Sequence, residues 1–271
     1  WVFLLCTIFW TWALWIPAAR AITDAGGDIN RVSPGVLLAI LAGGIGPSLI
    51  AIILAWASGR VAGVKSLLAG FLIWRVGLRW YAFALFGPAV LVAIGATVFV
   101  LSGESVGAID LTAIGAVVLA YLFALPFGPL GEELGWRGFA LPALLKRYSA
   151  LTSALIIGVA NSLWHFPLFF APVGTWISGH DINSLLVFSF SAQVVGFSIL
   201  YTWMLARTSG SILMAFLLHT GINAGVVFVL LPGLGPEAQL NIMMLAVIPV
   251  WLLCVFVVAK YGWRTLGQVE A

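Results

Sequence analysis

The sequence predicts an all-α membrane protein, a polytopic bundle of about eight transmembrane helices, and three observations carry that prediction. Of its 271 residues, 63% are hydrophobic and 8% are charged, where a soluble domain has about 45–50% apolar and roughly 25% charged residues. Uncharged runs long enough to cross a hydrocarbon core about 30 Å thick, about 20 helical residues each, recur along the chain. The basic residues also cluster at alternate ends of those runs, as the positive-inside rule requires. A globule of this length still exposes much of its surface to water. Soluble-enzyme, disordered and disulfide-framework readings are therefore excluded, and residues 1–271 read as a single integral membrane domain.

The runs lie near 1–19, 33–56, 80–101, 111–131, 150–172, 183–206, 211–232 and 240–259. The first opens on Trp1 rather than Met and has no basic leader before it, so it reads as a truncated membrane span and not a signal peptide. The second contains Ala39-x-x-x-Gly43 with Gly44 and Gly46, a pattern of close helix packing and not a phosphate loop. Between the second and third runs, Val64–Trp80 mixes Leu67, Leu68, Phe71, Leu72 and Trp74 with Lys65, Arg75 and Arg79. That mixture predicts an amphipathic helix on the cytoplasmic leaflet, held by apolar burial and anionic lipid. Breaks are expected at Pro126 and Pro129 in the fourth run. Trp10, Trp12, Trp15, Trp56, Trp74 and Trp80 sit near span ends, as interface anchors do.

With both termini inside, the cytoplasmic segments hold Arg60, Lys65, Arg75, Arg79, Arg137, Lys146, Arg147, Arg207, Lys260 and Arg264, and the opposite side only Arg20 and Arg31. This gives the orientation of a multi-pass protein, expected in a bacterial cytoplasmic membrane, and accounts for the net charge of +3 without nucleic acid as a partner. Cys6 and Cys254 lie in apolar stretches near opposite ends of the chain and carry no redox or metal pattern.

Ionisable groups inside a span are costly and mark function by default. Three places qualify: Glu132-Glu133-Leu134-Gly135-Trp136-Arg137, His165 in Asn161-Ser162-Leu163-Trp164-His165, and His219 in His219-Thr220-Gly221-Ile222-Asn223. His180, beside Asp181 in an outer loop, reads as solvated. At ~1.5 Å per helical residue, Glu132 lies ~21 Å from Lys146, His165 ~27 Å from Arg147 and His219 ~18 Å from Arg207. All three groups can therefore meet at mid-membrane, in a cavity open to the cytoplasmic side.

Spacing assigns roles. Glu133 and Arg137 are i,i+4 with the acid N-terminal, the favourable order for an ion pair, and inside a membrane the pairing neutralises both charges. That leaves Glu132 as the carboxylate without a local cation, suited to taking a proton from water. His219 and Asn223 are i,i+4, as are Asn161 and His165, so each pair presents two polar groups to one side. A carboxylate, two imidazoles and a carboxamide around one pocket suit hydrolysis, with the donors holding a developing oxyanion. Taken singly, each has a structural reading: an ion pair for Glu133 with Arg137, interhelical glue for His219 with Asn223, a satisfied core histidine for His165. Their concurrence in a chain so poor in polar groups favours function.

On these residues the chain resembles the CPBP family, the CaaX-prenyl-protease and bacteriocin-processing intramembrane proteases. The family is marked by Glu-Glu-x-x-x-Arg, Phe-x-x-x-His and His-x-x-x-Asn on successive helices. Glu132-Glu133-Leu134-Gly135-Trp136-Arg137 and His219-Thr220-Gly221-Ile222-Asn223 match the first and third. The second keeps His165, but Asn161 stands where the family has Phe. The resemblance covers about 113–232 and implies an all-helical endopeptidase acting on membrane-anchored, lipidated or apolar peptide and protein substrates. By analogy Glu132 activates the attacking water, His165 helps position it, His219 and Asn223 stabilise the oxyanion, and Glu133 with Arg137 supports the site. The metal is left open: Glu132, His165 and His219 could supply the three ligands of a catalytic zinc, yet the His-Glu-x-x-His helix is absent. Rival readings are a proton-coupled transporter, which lacks evident repeated halves here, and a non-catalytic bacteriocin-immunity protein, for which a degraded motif would be expected.

Overall fold

A computed structural model describes residues 1–106, 115, 118–119, 122, 128–171, 175–178, 180–225 and 234–268. Among them there is no strand. Six helical stretches are long and apolar enough to cross a membrane: Val2–Asp24, Gly46–Leu72, Leu78–Leu101, Ala150–Phe170, Ser184–Arg207 and Pro236–Tyr261. The fold is an all-helical, multi-pass membrane bundle. The expected fourth span, 111–131, and the last residues of the seventh lie largely outside the described residues.

The bundle opens with α1 (Val2–Asp24), followed by α2 (Pro34–Gly44) and α3 (Gly46–Ala69). The single span expected over 33–56 is thus two helices that break at Ile45, just before Gly46-Pro47. Proline inside a helix removes one hydrogen bond and clashes with the preceding turn. At the break, Thr11 Oγ1 donates to Gly43 O (2.9 Å) and Trp10 Nε1 to Ala42 O (2.9 Å), so α1 satisfies carbonyls at the end of α2.

α3 turns sharply at Arg60, whose φ is +53°. The following segment is helical only to Leu72, and 73–77 is not, so the amphipathic helix expected over Val64–Trp80 is shorter. The chain leaves it because Ser211 Oγ donates to the Ile73 carbonyl (2.5 Å), taking that group out of the helical ladder. α4 (Leu78–Leu101) then crosses the bundle.

Trp56 and Trp74 are exposed, as interface anchors should be. Trp15 and Trp80 are not. Trp15 donates to Ile40 O (2.8 Å) and packs on Trp164 at 4.5 Å between ring centroids. Trp80 packs edge-on to Trp203 at 5.0 Å. A fully packed indole with its N–H satisfied gains more between helices than at the interface, since aromatic pairs add about 0.5–1.5 kcal/mol beyond buried area.

α5 (Pro129–Glu133) passes into a π-helical turn, Leu134–Ala140, and then α6 (Leu141–Leu145). Pro142 has no N–H to donate, and wide turns of this kind form where the helical ladder is interrupted. This stretch lies hard against the α2–α3 break: a Cβ on Gly131 would meet the Gly44 carbonyl at 2.5 Å, and one on Gly135 would overlap that of Pro47. Only glycine permits so close an approach, and small residues are what let helices associate in lipid.

α7 (Ala150–His165) starts at Ser149, whose Oγ accepts from Thr152 N (3.1 Å). The N–H groups of Ala150 and Leu151 donate to the carbonyls of Arg264 (2.8 Å) and Trp263 (3.0 Å) in the C-terminal tail. α8 (Ser184–Arg207) is capped by Asn183 Oδ1. α9 (Ile212–Gly225) follows the tight Ser209-Gly210 turn, and α10 (Pro236–Leu245) leads into α11 (Val247–Tyr261). α8 packs on α7 and α11, and α9 on α4, which sets a cavity between them.

Candidate active site

Helices α5, α7, α8 and α9 each turn polar side chains into one cavity of about 600 Å³. Gly128 sets the first of them. Its φ of +94° suits glycine, and its carbonyl accepts from the Glu132 N–H (2.8 Å), which starts α5 at Pro129. The first turn of α5 carries Glu132, 5% exposed, and Glu133, fully buried.

The two carboxylates part company. Glu133 Oε1 accepts from Arg137 Nη1 (3.0 Å) and from His219 Nδ1 (2.6 Å), and the Arg137 guanidinium lies 3.9 Å over the ring of Tyr201. Glu132 Oε2 instead accepts from Asn161 Nδ2 (3.2 Å), and its Oε1 stands 3.9 Å from His219 Nε2. Glu133 is therefore more than a counter-ion for Arg137, since it also holds a histidine on α9. Glu132 has no cation in hydrogen-bond contact but is not without a partner.

The hydrogen bonds fix the imidazoles. His165 Nδ1 donates to the Asn161 carbonyl (2.9 Å), the acceptor one helical turn behind it, so its Nε2 carries the lone pair when the ring is neutral. Its ring meets Trp164 and Phe190 edge-on, at 4.6 and 5.4 Å. His219 donates Nδ1–H to a carboxylate, so Nε2 becomes a second donor only in the imidazolium form. In that form Glu132, Glu133, Arg137 and His219 sum to zero charge, the condition a low-dielectric site favours.

Asn223 and Gly128 complete the cluster. A Cβ on Gly128 would lie 2.9 Å from His219 Nε2 and 3.0 Å from Asn223 Nδ2. A point at hydrogen-bond distance from both side chains is thus kept clear of protein atoms by a glycine. All six residues singled out from the sequence, Glu132, Glu133, Arg137, His165, His219 and Asn223, line the cavity. Sequence reasoning missed Tyr201 and Gly128. The phenol of Tyr201 sits six residues inside a span, a weak cue, and Gly128 lies just outside the motif.

Glu133 is held by Arg137 and His219, which leaves Glu132 and the two imidazole Nε2 atoms as the donors facing the cavity. Among the described residues no three of His, Cys, Asp and Glu come together as a metal ion requires.

Residues 114–225, the stretch that carries this cluster, match the family model for type II CAAX prenyl endopeptidases, Rce1-like. The chain is also 34% identical over 102 residues to CAAX prenyl protease 2 of Methanococcus maripaludis, a match covering 38% of this chain and 38% of that protein. The chain thus spans well under half the length of that curated relative. The family match falls on the segment that carries the three motifs.

Proposed function

We propose that the chain is an intramembrane endopeptidase hydrolysing peptide bonds of membrane-associated or lipidated substrates, with its site open to the cytoplasmic side. One observation carries this reading: Glu132 Oε1 and His219 Nε2 face each other across 3.9 Å, beside the clear point between His219 and Asn223. That separation is too long for a direct hydrogen bond, while a single oxygen atom about 2.8 Å from each fits beside the pair.

In the mechanism we propose, a water there gives its proton to Glu132 as its oxygen attacks the scissile carbonyl. The carbonyl oxygen becomes an oxyanion over Gly128, where His219 Nε2–H and the Asn223 carboxamide donate to it. Glu133 holds the His219 ring through Nδ1, and Arg137 balances Glu133. The Nε2 lone pair of His165 accepts from the attacking water and orients it. Glu132 then passes its proton to the leaving amine, so the C–N bond breaks and both products leave neutral at that bond. No step runs through a metal.

The test uses purified protein in detergent and a Glu132→Gln control, incubated with a mixed library of lipidated and apolar peptides. Products are read by mass spectrometry, with and without a chelator. Cleavage by the unmodified protein alone is the expected result, and equal cleavage by both would remove Glu132 as the base.

A further inference from the structure

The cavity extends beyond the carboxylates. On α8, Phe190, Gln193, Val194, Phe197 and Tyr201 recur at helical spacing and line it together. Tyr201 stands at the Arg137–Glu133 pair, and Gln193 lies eight residues back, about 12 Å along the helix axis. The wall there is otherwise apolar, built by residues such as Leu91, Val92 and Met243.

Gln193 is 7% exposed, and Trp176 Nε1 lies 2.7 Å from its Oε1. An indole N–H can only donate, so the carboxamide must present its oxygen to Trp176. Its Nε2 is left on the other side and meets no partner among the described residues. The neighbouring hydroxyl of Thr175 is engaged by Ser178 Oγ (2.9 Å). Gln193 lines the cavity and this N–H is not among the fully buried polar atoms, so the donor stands ready for a ligand atom. Among the described lining residues the cations are Arg137, held by Glu133, and the imidazolium form of His219, balanced by the adjacent carboxylates. An anionic acceptor at Gln193 would lie uncompensated, which favours a neutral carbonyl.

We propose that Gln193, aimed by Trp176, is a substrate-positioning residue whose Nε2–H donates to a main-chain carbonyl of the bound peptide. The 12 Å from the cluster corresponds to about three or four extended residues at ~3.3–3.6 Å each, which places that carbonyl relative to the bond that is cut. This rests on the peptidase reading above and adds to it a length requirement on one side of the scissile bond.

The experiment compares the unmodified protein with Gln193→Met, which keeps volume and loses the donor, and with Trp176→Phe. Apolar peptides are lengthened stepwise on each side of the cleaved bond. For peptides long enough to reach Gln193, Gln193→Met raises KM about two- to ten-fold, the range of one hydrogen bond, while kcat stays within about two-fold. For shorter peptides the two proteins share one KM. Trp176→Phe shifts KM in the same direction, and the double variant is no worse than Gln193→Met alone. A purely structural role would instead lower kcat and the thermal midpoint for all lengths alike. Unchanged KM for every length in Gln193→Met overturns the assignment. Binding of the same peptides to Glu132→Gln protein, with and without Gln193→Met, is read by tryptophan fluorescence. Length-dependent binding that needs Gln193, together with no cleavage of the same peptides by the unmodified protein, would overturn the peptidase reading and leave this assignment standing.

Discussion

His219 points its Nδ1 at Glu133 Oε1, 2.6 Å away, while its Nε2 faces Glu132 across 3.9 Å. One imidazole thus stands between two adjacent carboxylates and holds a hydrogen bond to only one of them. Neighbouring residues on a helix diverge by about 100°, so such an arrangement needs a third side chain entering from another helix. α9 supplies it. The asymmetry separates a carboxylate that positions from a carboxylate that is open to the cavity, and it leads to distinct outcomes for substitutions at each.

Glu133→Gln keeps the shape of the side chain and removes the charge that balances Arg137. Losing one partner of a buried pair costs roughly 3–5 kcal/mol. The expected result is a lower thermal midpoint in detergent together with reduced hydrolysis. A wild-type midpoint would mean that Arg137 finds its counter-charge elsewhere.

Gly128→Ala puts a methyl group at the point 2.9 Å from His219 Nε2 and 3.0 Å from Asn223 Nδ2. Holding a non-glycine residue at φ +94° and ψ −73°, a sparsely populated backbone region, costs about 1–3 kcal/mol of stability. The loss of kcat should be far larger, about 100-fold or more, in line with removing an oxyanion donor. Gly262, also at positive φ (+77°) but with nothing within 4 Å of a Cβ, provides the control. Gly262→Ala should show a comparable stability change with kcat intact. Similar kcat in both variants would show that the space over Gly128 is not used.

Asn161→Ala removes the Nδ2 donor from Glu132, a hydrogen bond to a charged group worth about 1.5–3 kcal/mol. We expect kcat/KM to fall by about 10-fold or more with the fold retained. Asn161→Asp should be worse, since it sets a second carboxylate 3.2 Å from Glu132 Oε2. Steady-state kinetics on both variants decides it; equal activity in Ala and Asp would deny the contact a role.

Tyr201→Phe and Tyr201→Leu divide the two parts of that side chain. The ring under Arg137 contributes about 2 kcal/mol if the contact is as dry as its burial indicates. Phe should preserve the thermal midpoint and Leu should lower it. If Phe lowers it as much as Leu, the hydroxyl carries the effect instead of the ring.

The amino-acid pattern exposes much of this molecule because lipid simplifies the code. Long uncharged runs must be helices, and each ionisable residue within them stands out against an apolar background. That is why Glu132, His165 and His219 can be singled out before any coordinates. The i,i+4 rule gives Glu133 with Arg137 for the same reason, because both sit on one helix. It cannot give Glu133 with His219 or Glu132 with Asn161, since both contacts cross between helices and depend on packing that spacing does not encode. The break at Ile45 and the exit from helix after Leu72 were hidden likewise. The first depends on carbonyls satisfied by Thr11 and Trp10, the second on Ser211, all distant in sequence. Trp15 illustrates the limit of composition: an indole near a span end reads as an anchor, and only its neighbours Ile40 and Trp164 make it core.

The tail carbonyls of Trp263 and Arg264 close the exposed end of the helix that bears Asn161 and His165. The C-terminal segment is therefore a fastening for the scaffold of the candidate site, although none of the described side chains after Tyr261 lines the cavity. A purification tag or fusion partner joined close behind these residues would pull on the helix that orients the proposed base.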